Sequence, residues 1–504
     1  MSEDIVIGKH TLESLTSGMY SDPYVVFREY VQNSADSIDE AVEKGVITLD
    51  ESQINICLMP NERKIVIGDN GLGIPNDNAE KILISIGNSK KNGETSRGFR
   101  GIGRLAALSY CTNLTFETSY RGEKIGTRIS IDAHKLALLL SKNDEADVTV
   151  VDVLKSVYSV ETYAERETQH YFRVVLEGVD ETSDLNNYEA VADYLAQNIP
   201  VPYDPERFVW GQEIIGRLKR EGITLKAYNV SLSYGTKTVP IFKSYKDEFL
   251  VDKGKNLTDK ITNIEIIKIT SSSRQLLAIG WIGSTGYLGS IYDKSVKGLR
   301  LRKGNILIGD AQTMNIVFKD ARFNGWSVGE IFAVDSSLIP NARRDNFEKN
   351  PSYFMLLEQM TTLAASITKD IRAASLQRNT DLSKALAQVG TTSKNAENAL
   401  DAGITSSQKG ILKQKLVLAQ EQLANAHALD DTDEYYQDIA FDEIDMLIGK
   451  LNGATSYKAL NTLSNLSNTE KRILEKVFNI ILGSQIHNGS DVVDLILNEF
   501  CKER

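Results

Sequence analysis

Glu29, Asn33 and Asp36 lie four and three residues apart in a stretch, 24–44, whose apolar residues recur at helical spacing. At about 100° per residue, with Glu29 at the origin, Asn33 falls about 40° away, Asp36 about −20° and Glu40 about 20°. Phe27, Tyr30, Val31, Ile38, Ala41 and Val42 fill the opposite arc, roughly 100° to 220°. The segment predicts an amphipathic helix with a core face and a face carrying a carboxylate, a carboxamide and a second carboxylate. Two readings fit that polar face. One is a solvated acidic surface. The other is a metal–nucleotide site, with Asn33 offering a carbonyl oxygen to Mg²⁺ and Glu29 taking the proton of an attacking water.

The next element adds chemistry to the second reading. Ile65-Val66-Ile67-Gly68-Asp69-Asn70-Gly71-Leu72-Gly73 places a carboxylate at the end of an apolar strand, followed by two glycines. A buried carboxylate accepts hydrogen bonds from an exocyclic amine such as that of adenine. Gly71 and Gly73 permit a turn and let the backbone lie close to a flat base. A third element, Gly98-Phe99-Arg100-Gly101-Ile102-Gly103-Arg104, runs into the apolar Leu105-Ala106-Ala107-Leu108. Bare backbone N–H groups before a helix cradle phosphates. No GK[ST] closes the loop, so it is not a Walker A motif, nor is it a placed Rossmann fingerprint.

The set Glu29-x-x-x-Asn33-x-x-Asp36, Asp69-x-Gly71-x-Gly73 and Gly98-x-x-Gly101-x-Gly103 resembles the ATP site of the gyrase, Hsp90, histidine kinase and MutL superfamily. Phe27-Arg28-Glu29-Tyr30-Val31-Gln32-Asn33-Ser34-Ala35-Asp36-Ser37 is most similar to the Hsp90 chaperones, and the resemblance covers about 110 residues. It implies ATP and Mg²⁺ as ligands, Glu29 as general base, Asn33 as the metal ligand, Asp36 beside it, Asp69 as adenine reader and Gly73 against the base. It also implies a lid from about residue 87 to 104, with Asn88, Ser89, Lys90, Gly98, Gly101, Ile102 and Gly103 around the phosphates. The family's Gly-Thr pair on a late strand has two candidate places: Gly126-Thr127, or the strand at 169–176, where Phe172 stands in place of threonine.

Ile339-Pro340-Asn341-Ala342-Arg343-Arg344-Asp345-Asn346-Phe347-Glu348 is similar to the Hsp90 middle-domain segment whose arginine reaches the γ-phosphate. By that resemblance Arg344 is an arginine finger and Asp345 the acid beside it. The alternative is a turn in which Arg343 and Arg344 pair with Asp345 and Glu348. Gly298-Leu299-Arg300-Leu301-Arg302-Lys303-Gly304 reads as an exposed strand edge protected by charge, or as a contact to a phosphate backbone.

The elements that must hold these residues fall into an α+β pattern. Helical and strand-like segments alternate over the first 180 or so residues, including apolar runs at 53–58 and 64–68 that predict a hairpin and strands at 114–119, 127–131 and 171–176. The resemblance makes 1–185 an ATP-binding α/β sandwich of the Bergerat type. Residues 186–224, punctuated by Pro200, Pro202 and Pro205, read as a linker with a connecting helix. An α/β middle domain is expected over 225–375 and an all-helical region over 376–504. Leu412, Leu416, Ala419, Leu423 and Ala426 are spaced like a short coiled-coil seam, and a homodimer through these helices is one expectation.

The chain has 504 residues, 41% hydrophobic and 25% charged, with a net charge of −11. That argues against a uniformly basic nucleic-acid coat, although a local basic groove fits inside an acidic total. Cys57, Cys111 and Cys501 show no CxxC spacing, which fits a reducing compartment and no disulfide framework. His10, His134, His170, His427 and His487 have no metal-ligand spacing. An acidic start and no apolar run near about 18 residues lead to the expectation of a cytoplasmic, soluble chain without a membrane partner. A histidine kinase would require a phosphoacceptor histidine ahead of the ATP domain, and only His10 precedes it. Two functions remain. The first is an ATPase (ATP plus water to ADP and phosphate) driving an Hsp90-like clamp on a protein client or dedicated partner. The second is a MutL- or MORC-like clamp acting on DNA. Divergent bacterial members of the superfamily also serve in multi-gene systems, including defence against phage.

Overall fold

In this computed structural model, residues 22–85, 103–141, 149–254, 256–402, 406–428, 431–453 and 466–483, together with 492 and 496, are described. The protein is an α+β chain. Contacts divide it into two units, Met1–Thr368 and Lys369–Arg504.

The first unit opens with helix α1 (Val25–Glu43), followed by strands β1 (Ile54–Met59) and β2 (Lys64–Asp69), which form the expected antiparallel hairpin. Helix α2 (Asn76–Ile84), strands β3 (Asn113–Ser119) and β4 (Ile125–Asp132), helices α3 (Ala133–Ser141) and α4 (Val150–Val157), and strands β5 (Tyr158–Ala164) and β6 (Tyr171–Glu177) come next. After helices α5 (Tyr188–Asn198) and α6 (Trp210–Arg220), strands β7 (Val230–Tyr234) and β8 (Lys237–Pro240) complete an eight-stranded sheet ordered β5-β4-β3-β6-β2-β1-β7-β8. The period-2 alternation of the strands explains why the sheet is covered on one side. Ile54, Ile56, Ile65, Ile67, Phe116 and Leu176 are buried with α1 residues in one core. The intervening Asn55, Cys57, Thr115, Glu117, Arg128 and Arg173 line an open groove of about 840 Å³.

The expected linker and the start of the second region pack differently from their sequence pattern. Val191 and Leu195 of α5 join the first core, whereas Ile214 and Leu218 of α6 join a second. The chain then returns to the first sheet, where β7 runs parallel to β1 in the register Ile54↔Val230 to Leu58↔Tyr234. After β8 it leaves again for the second core, through β9 (Glu248–Asp252) and β10 (Leu257–Lys260) and a five-stranded sheet. That sheet contains β11 (Asn263–Thr270), β12 (Leu276–Ser284), β13 (Gly298–Lys303), β14 (Ile306–Leu307) and β15 (Val328–Ala333), ordered β11-β12-β15-β13-β14.

The basic segment corrects both of its sequence readings. β13 lies between β15 and β14, with Arg300 and Arg302 only 3% and 1% exposed. Arg302 pairs with the fully buried Glu330 of β15, which also holds Lys243 Nζ at 2.9 Å and accepts from Tyr203. Arg302 further donates to the carbonyls of Asn305 and Gln197, the latter at 2.8 Å near the end of α5. Neither a charged outer edge nor a surface for a phosphate backbone is formed by this strand. Trp281 is fully buried and donates to Tyr203 Oη at 2.9 Å.

Helix α7 (Pro351–Ala402) supplies residues to both units. Within the second, α8 (Ser406–Asn425), α9 (Asp431–Gly453) and α10 (Asn468–Gly483) follow. The seam residues Leu416, Ala419, Leu423 and Ala426 are buried against Leu382, Val389, Ile444 and Leu447 of the same chain. The stripe has the expected spacing, but its partner is intramolecular. No helix among the described residues is long and apolar enough to cross a membrane.

Candidate active site

α1 presses Val26, Phe27, Tyr30, Val31, Ala35 and Ile38 into the core with essentially no exposure. Glu29 and Asn33, one turn apart, share the other face, and Asp36 follows at the next turn. Glu29 is nevertheless 8% exposed, because other elements close over it. Arg28 Nη2 lies 3.1 Å from Glu29 Oε1, and Arg344 Nε lies 3.7 Å from the same oxygen. Gly103 abuts the other oxygen: a Cβ there would sit 2.2 Å from Glu29 Oε2. The 3₁₀ turn that begins at Gly103 buries Leu105, Ala106, Ala107 and Leu108, and Tyr30 Oη donates to the Arg104 carbonyl at 2.8 Å. The glycine loop's last residue is thereby fastened to the helix that carries Glu29.

β2 ends at Asp69, 5% exposed, whose Oδ1 accepts from Gly71 N at 2.8 Å. The glycines of this turn are required by close approaches. A Cβ on Gly71 would lie 2.3 Å from Ser37 Oγ, and one on Gly73, whose φ is +74°, would lie 2.0 Å from the Ser119 carbonyl oxygen. Leu72 N donates to the Ser37 carbonyl at 3.2 Å, so the turn rests on α1 one residue beyond Asp36. His170 Nδ1 is 2.9 Å from the Gly71 carbonyl oxygen.

Strand order separates the two candidate places for the family's threonine. Thr127 lies in β4, which is separated from β2 by β3 and β6, and its hydroxyl is donated to Asn76 Oδ1 at 2.8 Å. Phe172 is the direct partner of Asp69 across β2 and β6. One strand further, Thr118 faces Phe172, and its hydroxyl accepts from Ile74 N and donates to the Tyr171 carbonyl.

Arg344 comes from a tight loop. Its N–H donates to the Asn341 carbonyl at 3.1 Å, its carbonyl accepts from Gly309 N at 2.8 Å, and its φ is +58°. A non-glycine residue there costs roughly 1 kcal/mol or more unless its surroundings hold it. Asp345 accepts from Asn341 Nδ2 at 2.6 Å, bracing the turn, while Arg28 Nη2 donates to the Arg343 carbonyl at 3.3 Å. The loop therefore docks on α1 beside Glu29. Among the expected site residues, Glu29, Gly103 and Arg344 meet, and Asp69, Gly71 and Gly73 form a second group joined to α1 through Ser37. Asn88, Ser89, Lys90, Gly98, Gly101 and Ile102 lie outside the described residues. Arg28, Ser37, Arg104 and His170 are additional neighbours. Only Arg28 had a local signal, its place beside Glu29.

Residues 20–159 match the family described as histidine kinase-, DNA gyrase B- and HSP90-like ATPase. This segment is thus similar to the ATPase domain of that superfamily. It is also 26% identical over 134 residues to a chaperone protein HtpG of Halalkalibacterium halodurans, covering 23% of this chain and 21% of that relative.

The residues in place fit an adenine nucleotide with Mg²⁺. A buried carboxylate ends β2 beside two tightly packed glycines, and Asn33 lies one turn from Glu29 on the same helix. Among the described residues no group of three His, Cys, Asp or Glu is placed to hold a metal. Magnesium suits this arrangement because it is commonly bound by one or two protein oxygens together with phosphates and water.

Proposed function

We propose that the chain binds and hydrolyses Mg·ATP and uses the nucleotide state to act, as an Hsp90-like clamp, on a protein partner. The observation that carries this reading is the 3.7 Å approach of Arg344, from beyond the second sheet, to Glu29 of α1. Asp69 reads the adenine amine at the end of β2, beside the turn that Gly71 and Gly73 make possible. Asn33 would hold Mg²⁺, which when bound neutralises phosphate charge. Glu29 takes the proton from the water that attacks the γ-phosphorus, while the β–γ bridging oxygen leaves with ADP. In the state described here two guanidinium groups lean on Glu29, so its carboxylate is neutralised. Turnover requires Arg344 to exchange Glu29 for the γ-phosphate, which also makes Arg344 a reporter of bound ATP. The DNA-clamp alternative loses the basic strand that suggested it, since Arg300 and Arg302 face inward. A dimer through the C-terminal helices would have to use surface outside the α8 seam.

The test compares ATP turnover and ATP binding in the wild type and in Glu29→Ala. Binding by both with turnover only in the wild type is the expected result. Equal turnover in the two would remove Glu29 as the base, and absence of ATP binding in the wild type would remove the nucleotide reading altogether.

A further inference from the structure

Arg104 has an unusual position beside this site. Its main chain is anchored, because its carbonyl accepts from the buried Tyr30 and the preceding residue, Gly103, lies against the Glu29 carboxylate. Its side chain is half-buried and donates through Nη2 to the Ser85 carbonyl at the end of α2. The inner nitrogen, Nε, is sealed from solvent and has no hydrogen-bond partner among the described residues. Burial alone pulls the guanidinium down to about 10, with no carboxylate raising it. Arg28 and Arg344 share Glu29 as a counter-charge, whereas among the described residues no carboxylate pairs with Arg104. A part-buried cation whose inner donor is sealed and unpartnered is costly to keep unless an acceptor completes it.

Resting on the nucleotide reading above, we propose that Arg104 is a phosphate-binding residue: its Nε–H and charge are completed by a phosphate oxygen of the bound nucleotide. Three features support this. The Arg104 main chain adjoins Gly103, which touches the Glu29 carboxylate, so the residue stands at the border of the candidate site. A planar guanidinium presents parallel N–H donors suited to phosphate oxygens. Moreover, the Ser85 carbonyl uses only one of its donors, and Ser85 is itself only partly buried, so that bond can be replaced by water.

The experiment uses the full chain and Arg104→Met, which keeps most of the apolar stem and removes the charge. Thermal melting is recorded without ligand and with Mg·ATP, adenosine and inorganic tripolyphosphate, and affinities are measured by calorimetry. The expected result is weaker binding of ATP and tripolyphosphate by about tenfold to a hundredfold, the effect of losing hydrogen bonds to a charged group. Adenosine affinity should be unchanged. Without ligand the variant should melt no lower than the wild type, because it no longer buries an unpaired cation. A lower ligand-free melting temperature with the ATP-induced shift intact would show that Arg104 is only a strut to Ser85, and would overturn the proposal. Equal ATP affinity in the two proteins would overturn it as well. Tripolyphosphate binding that depends on Arg104, in a wild type that does not bind ATP, would support the anion site and refute the nucleotide reading.

Discussion

Replacing Arg344 by alanine separates two stages at which this side chain acts. Before ATP arrives, its Nε sits 3.7 Å from Glu29 Oε1 and the side chain is 11% exposed. At an effective dielectric near 20, a pair at that distance has a Coulomb energy of about 4 kcal/mol, an upper bound before desolvation is subtracted. If Arg344 leaves that carboxylate for the γ-phosphate, one close anion replaces another. The net change on ATP binding is then small, and ATP affinity in Arg344→Ala should stay within about threefold of the wild type. In the transition state, charge accumulates on the transferring group and the cation is no longer redundant. Loss of a charge-assisted contact of about 1.5–3 kcal/mol predicts a fall in kcat of about tenfold to 150-fold. Steady-state turnover gives kcat, and calorimetry with a nonhydrolysable ATP analogue gives Kd. A rise in Kd equal to the fall in kcat would refute the exchange, because Arg344 would then bind ground state and transition state equally. An unchanged kcat would reduce the 3.7 Å contact to a docking bond.

Two further perturbations probe the base-binding end and the interior of the second sheet. Asp69→Asn keeps the shape and the Oδ1 acceptor for Gly71 N but removes the charge, and should weaken ATP by about 1.5–3 kcal/mol. Calorimetry checks the affinity and circular dichroism the unchanged fold; retention of wild-type affinity would deny Asp69 the adenine. Lys243 is pulled from 10.5 to about 7, burial being the main cause and neighbouring Arg302 a further one, against the attraction of Glu330. Over that window the unfolded chain binds the proton more tightly than the folded one, so Lys243 makes stability rise with pH from about 7 towards about 10.5 and fall as pH drops through about 7. In Lys243→Met, where Arg302 still balances Glu330, that rise should vanish in chemical denaturation series spanning the window. A slope identical to that of the wild type would place the titration elsewhere.

Features set by neighbours in sequence were legible; those set by distant chain were not. The 3.6-residue period around Glu29 located α1, and the apolar runs on either side of residues 59–63 located the hairpin that delivers Asp69. The arginines of β13 read as exposed because charge in a strand is usually outside. Their burial depends on Glu330, a distant residue brought alongside by a parallel pairing, and on Lys243 from another segment. The prolines near residue 200 signalled a break in regular structure but not that Ile199 and Val201 are core residues. The spacing from Leu412 to Ala426 predicted an apolar stripe, while what covers it, α9 and part of α7, is a tertiary outcome. At the site itself, the resemblance supplied Arg344, but the contacts of Arg28 and Arg104 arise only once loop and helix are packed.

The path of the chain between the two sheets has a mechanical consequence. From α5 to α6, from α6 back to β7, and from β8 out to β9, the backbone passes three times between the core that holds Glu29 and the core behind Arg344. A body hung on one strap can swing; one sewn with three stitches loses most of its rotational freedom. Wide separation of these sheets would require β7 to peel from β1 or α6 to leave its bed. The inexpensive motion is confined to the loop around Arg344, where a positive φ and a few turn hydrogen bonds hold a charged side chain over a carboxylate. On the proposed reading, nucleotide sensing by Arg344 would work like a latch on a fixed frame.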